Sequence, residues 1–181
     1  MKELVAFDLD GTLAESKQPL QAPMGEALLR AIHARWIPSP EVVVHRPARG
    51  VIDLVLDDTR HPVAIAAELQ SELRRLEQQV RWHREKEASL PSSDLWPFMT
   101  VDRPTATSRL LVLRSTVDTR KVANAFHATL AAAYPARTAD VIAALTSADA
   151  PWPGPGIAWI RLEGKRAELL ASPPRGVRLG R

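Results

Sequence analysis

Two groups of residues have the types and spacing for phosphate or metal chemistry. The first is FDLDGT, residues 7–12. Leu4, Val5, Ala6 and Phe7 form a short apolar run that Asp10-Gly11 stops, which predicts a strand with carboxylates at its end. Asp8 and Asp10 can converge on one Mg²⁺. One carboxylate could attack a phosphorus atom while the other handles the proton. The second group lies in RGVIDLVLDDTRHPVAIAAELQ, residues 49–70. Residues 51–56 and 63–69 predict two strands, joined by a turn over Asp57 to Pro62 that is too short for a helix. A hairpin centred on residues 59–60 sets Asp53 opposite about residue 66. Side chains alternate faces with period two, so Asp53, Glu68 and Gln70 share one face. Diagonal neighbours lie roughly 7–8 Å apart by Cα, within reach of one shared cation.

The elements that must position these groups follow from periodicity and punctuation. Leu28, Leu29, Ile32 and Trp36 recur at helical spacing over residues 22–36, with Pro38 and Pro40 ending the helix. Residues 41–45 predict a strand. The longest helix is expected over 71–90, capped by Ser71, with Leu69, Leu73, Leu76 and Val80 as its apolar stripe. Its other face mixes charges of both signs. Arg74, Arg75, Arg81 and Arg84, with Trp82 and His83, resemble a basic face with aromatics, blunted by four glutamates. Residues 91–108 predict a long loop and 109–114 a strand. Helices are expected over 119–133, opening at Thr119, and over 137–146. A last strand is expected at 157–162. The order after residue 20 is therefore α-β-β-β-α-β-α-α-β. Glu26, on the first helix, is a candidate third acid for the Asp53–Glu68 pair.

Composition narrows the chemistry. The 181 residues contain no cysteine, which excludes disulfides, thiolate zinc sites and cysteine nucleophiles. No apolar run approaches the ~18 residues of a membrane span, and residues 1–7 are too short for a signal peptide. The expected location is cytoplasmic. A net charge of +3 fits a nucleic-acid contact, although the excess is small. Three arginines among residues 175–181 suggest a solvated basic tail.

FDLDGT resembles the first motif of the haloacid dehalogenase (HAD) phosphatases. The resemblance implies that Asp8 is the nucleophile and Asp10 the acid/base of a Mg²⁺-dependent hydrolase. That family also has a Ser/Thr, a Lys and an acidic pair at later strand ends, and these are not found here in matching positions. The acid of one strand and the E-x-Q of the next, followed by a helix, resemble the PD-(D/E)XK nuclease fold, whose core order is α-β-β-β-α-β. That resemblance implies Mg²⁺ held by Asp53 and Glu68, with Gln70 where Lys is usual. Glutamine orients a water but supplies no charge.

Residues 25–165 are also similar to the C-terminal domain of bacterial XRE-type (helix-turn-helix) transcriptional regulators. The likeness runs through GEALLRAIHARW, the VIDLVL…AAELQS hairpin, RLLVLRSTVDTRKVANAFHATLAAAYPARTADVIAAL and GIAWIRL. The fold expected is α/β, with a restriction-endonuclease-like αβββαβ core and a mixed central sheet flanked by helices. The organisation expected is a HAD motif I-like segment at 1–24, a nuclease-like domain at 25–172 and a basic tail at 173–181. The resemblance implies a regulatory or accessory domain of a DNA-associated protein with a degenerate site. The alternatives are a phosphatase using Asp8 and Asp10 and a metal-dependent DNA nuclease. Partners in keeping with these readings are DNA and a second copy of the chain, with no membrane.

Overall fold

The hairpin forms as its apolar runs and DDTR turn dictate. In a computed structural model, which describes residues 21–180 except Asp102 and Lys165, β2 spans Gly50–Asp58 and β3 Val63–Gln70. They pair antiparallel with Leu54 opposite Ala67 and Asp57 opposite Ala64. The hairpin therefore centres one residue later than expected. The chain turns through Thr59 to Pro62, where Asp58 accepts a hydrogen bond from the Arg60 N–H.

Before the hairpin come α1 (Gln21–Ala31) and β1 (Trp36–Val44). The helix expected to reach Trp36 stops at Ala31, and Trp36 opens a strand instead. Pro38 and Pro40, expected as helix terminators, lie inside that strand. They are tolerated because, among the described residues, β1 pairs with β2 alone and is an edge strand, where an N–H donor on the outer side is dispensable.

After the hairpin, α2 (Leu76–Ser89) crosses over to β4 (Ala106–Arg114), which lies parallel to β3. Helix α2 opens at Leu76 rather than Ser71. Arg75 is its N-cap, in the left-handed region at φ 47°, and no side chain caps it. The expected long loop contains a 3₁₀ turn at Leu90–Ser92 and the short α3 (Trp96–Met99). The expected helix 119–133 is two helices, α4 (Val117–Ala125) and α5 (His127–Ala133), broken at Phe126. Thr116, not Thr119, caps α4 by accepting the Thr119 N–H at 3.0 Å. Then follow α6 (Thr138–Thr146), β5 (Gly156–Glu163), parallel to β4, and the polar edge strand β6 (Arg166–Leu169), which the apolar pattern did not signal.

The fold is α/β: a six-stranded mixed sheet in the order β1-β2-β3-β4-β5-β6, flanked by helices. On one face Met24 and Leu28 of α1 and Val141 and Leu145 of α6 pack against Leu54, Leu56, Ile65, Leu110 and Ile160. On the other, Leu76 and Val80 of α2 and Leu130 of α5 pack against Leu111, Leu113 and Trp159. Residues 173–180 are not a solvated tail. Val177 and Leu179 are buried in that second cluster, and Asn124 brackets the segment through Gly176 O and the Arg178 N–H. Two apolar side chains at i and i+2 outweigh the arginines between and around them. Among the described residues no helix is long and apolar enough to cross a membrane.

Candidate functional site

Carried one step beyond Leu54↔Ala67, the strand register sets Asp53 directly across from Glu68. They are lateral neighbours, closer than the diagonal pair expected, because the turn is centred later. Asp53 Oδ2 accepts the Leu69 N–H at 2.9 Å. Glu68 is buried. Lys86, one turn from the end of α2, reaches down to it and donates to both carboxylate oxygens, at 2.9 and 3.0 Å. The stem of Lys86 passes over Gly50, the first residue of β2.

Burial, and then the Asp53 carboxylate beside it, push Glu68 up to about 7, while Lys86 pulls it back. The centre is thus two carboxylates and one ammonium, with only one of the carboxylates partly open to solvent. Gln70, expected to face the same cation, is tethered elsewhere. Its Oε1 accepts from Gln79 Nε2 of α2 at 3.2 Å. Glu26 does not join either. It is exposed beside Arg30, on a helix that packs on the opposite sheet face. Asp8 and Asp10 lie outside the described residues.

Asp53 and Glu68 are oxygen donors of the class that Mg²⁺ takes. Their oxygens are already engaged, however: both of Glu68 by Lys86, one of Asp53 by a backbone N–H. Among the described residues no three His, Asp or Glu side chains are grouped to hold a metal ion. A cation would enter through the second oxygen of Asp53 and by displacing Lys86.

Sequence reasoning missed Lys86. The signal was faint, because Lys86 sits in a run of mixed charge (REKE) whose inward side depends on where the helix starts. His83 was misplaced for a related reason. It does not belong to an exposed basic face. It is buried against the sheet, where its Nε2 lies 2.9 Å from Ala66 O and its Nδ1 2.8 Å from Tyr134 Oη. A carbonyl only accepts, so the ring proton is on Nε2 and Nδ1 accepts from the tyrosine hydroxyl. Burial drives the imidazole down to about 3, so it stays neutral. Arg109 completes this layer by pairing with Glu87 of α2 and donating to Ala133 O. The Tyr134→Phe variant is expected to lose about 1–3 kcal/mol in urea unfolding, because it strands the buried Nδ1 acceptor. A loss near zero would mean that Nδ1 finds water or another donor.

No family model, curated protein or solved structure matches this chain.

Proposed function

We propose that the chain is an accessory or regulatory module of a DNA-associated protein, built on a nuclease-like sheet whose acidic centre is closed by its own lysine. One observation carries the proposal: the Lys86 ammonium grips both oxygens of the buried Glu68. A divalent cation beside Asp53 and Glu68 would supply positive charge. Here a covalently attached ammonium supplies it, and Asp53 is held by the backbone of the neighbouring strand. Such a centre stiffens a hairpin without activating water. The element order αβββαβ and the placement of both acids on adjacent strands support the nuclease-like reading. Among the described residues, the interior positions of the sheet are filled by strands from residues 50–163.

DNA as the partner is supported by the β1–β2 loop. His45, Arg46 and Arg49 are exposed there. The loop is fastened by Ser89 and Ser92, whose hydroxyls accept its backbone N–H groups, and Lys86 lies under its end. A fixed loop presenting cations suits a phosphate backbone.

A second reading, metal-dependent cleavage of DNA, is favoured by the same lysine. Lys86 brings from α2 the cation that Gln70 fails to supply, and Glu68 titrates near neutrality. The two readings separate by experiment. Supercoiled plasmid is incubated with the protein and Mg²⁺ or Mn²⁺, and metal binding is followed by calorimetry. The accessory reading expects no nicking by the wild type and no metal uptake at millimolar Mg²⁺. It also expects salt-sensitive duplex binding that weakens in Arg46→Glu/Arg49→Glu. Nicking that needs the metal and disappears in Glu68→Gln and in Lys86→Met would replace it with the nuclease.

A further inference from the structure

The β1–β2 loop is laid along the end of α2 in a fixed order. The Lys86 stem lies over Gly50, Ser89 Oγ accepts the Ala48 N–H at 2.9 Å, and Ser92 Oγ accepts the His45 and Arg46 N–H groups at 2.8 and 3.0 Å. His45, Arg46 and Arg49 are exposed along this line. Among the described residues no carboxylate pairs with Arg46 or Arg49. The charges of the neighbouring helix are closed elsewhere: Arg81 with Glu85, Lys86 with Glu68, and Glu87 with Arg109. Asp94, exposed between Ser92 and α3, offsets part of the positive charge.

An exposed aromatic stands at each end of the line. Trp82, 46% exposed, lies one turn before Lys86. Trp82, Lys86 and Ser89 recur at i, i+4 and i+7, so they share the side of α2 that borders the loop. Phe98, 78% exposed, lies beyond Ser92 on α3. Its helix is seated by Trp96 and Met99, which pack with Val42 and Val44 of β1. The hydroxyls of Thr100 and Thr105 fasten it further by donating to Trp96 O and Met99 O. From Trp82 to Ser92 the helical rise is roughly 15 Å. The strip therefore presents, in spatial order, an indole, a run of cations and a phenyl ring.

We propose that this strip binds a single-stranded stretch of nucleic acid, whose bases stack on Trp82 and Phe98 while Arg46 and Arg49 hold the phosphates between them. This rests on the β1–β2 loop being the phosphate contact proposed above; the rings add which form of nucleic acid is taken. The unpaired arginines select a polyanion. The aromatic rings select base faces, which a duplex turns toward its own neighbouring bases and a single strand leaves open. Every base has such a face, so the strip needs no particular sequence. Loop and rings are fastened before binding, so little ordering is lost.

Stacking is separated from charge by removing the bases. Fluorescence anisotropy of the full chain is followed with two labelled oligomers of about twelve nucleotides, within the usual span of single-strand sites. One is an oligothymidylate; the other has the same sugars and phosphates but no bases. The wild type is expected to bind the first about tenfold more tightly, the worth of one stacked base. Trp82→Ala and Phe98→Ala are each expected to shrink that preference without changing affinity for the base-free oligomer. Arg46→Glu/Arg49→Glu is expected to weaken both oligomers alike. Equal affinity of the wild type for the two oligomers overturns the proposal; if the charge reversal still weakens both, the loop stands as a phosphate contact without the rings. Absence of salt-sensitive binding to either oligomer overturns the proposal together with that reading of the loop. A preference that persists undiminished in both aromatic variants also overturns it. The comparison of the two oligomers stands on the wild type alone, so it holds even if a variant does not fold.

Discussion

The Glu68→Gln variant is expected to gain on the wild type by roughly 3 kcal/mol as the pH rises from about 4.5 to about 7. Glu68 ordinarily titrates at 4.5 and in the folded chain at about 7. Between those values the unfolded chain has released the proton and the folded chain still holds it, so wild-type stability falls with rising pH at about 1.4 kcal/mol per unit. Above pH 7 the loss is complete. Below 4.5 the contribution is fully present. His83 acts in the opposite direction. Its folded value of about 3 lies below its ordinary 6.5, so it makes the fold less stable as the pH falls through that range. Asp57, raised by burial, adds to the Glu68 trend.

The wild-type profile between pH 4.5 and 6.5 therefore contains opposing slopes, and only the difference between variant and wild type isolates Glu68. Urea unfolding of both proteins at pH 4.5, 5.5, 6.5 and 7.5 measures it. A difference that stays constant across this range would mean that Lys86 offsets both burial and the Asp53 carboxylate at Glu68, and that no electrostatic strain is held there. A difference that grows as expected marks the centre as one that costs stability when ionised. A site kept for a purpose other than stability has that property.

The hairpin and both of its acids were legible in the sequence because their signals are local. The run VIDLVL, the DDTR turn and the run VAIAAEL each act over a few residues. The register was displaced by one pairing step, since turn length is decided by how Asp58 and Arg60 close the loop, and composition alone leaves that open. The lysine that completes the centre was hidden. Its direction depends on the helix phase, which depends on a start at Leu76. That start is fixed by Leu73 and Leu76 seeking the same cluster around Leu113 and Trp159, a tertiary requirement. His83 looked basic among arginines because periodicity in a charged helix is weak evidence of burial. Pro38 and Pro40 looked like terminators because nothing local says that β1 lies at the edge of the sheet formed by the described residues. In each case the missing information was the identity of a partner distant in sequence.

The Arg35→Met variant is expected to be destabilised by about 3–5 kcal/mol in urea unfolding at neutral pH. Arg35 and Asp58 are 3% and 0% exposed. Removing the guanidinium strands a buried carboxylate and takes a donor from the carbonyls of Ala144, Ala148 and Ala150, of which Ala144 O keeps the Trp36 Nε1–H. The Arg35→Lys variant should recover only part of the loss, because one ammonium cannot reach three carbonyls that a planar guanidinium spans. The double variant Arg35→Met/Asp58→Asn should be less destabilised than the sum of the singles, since the second change removes the charge that the first left unpaired. A cost below about 1 kcal/mol for Arg35→Met would show that water solvates Asp58 and that the pair does not join the hairpin to α6. The consequence reaches the candidate site. Asp58 and Asp53 are five residues apart on β2, roughly 17 Å along the strand. One cation, Arg35, anchors the turn end of the hairpin, and another, Lys86, anchors the acidic end. Loosening of the turn should therefore appear at the other end as faster amide exchange at Leu69, whose N–H is held by Asp53.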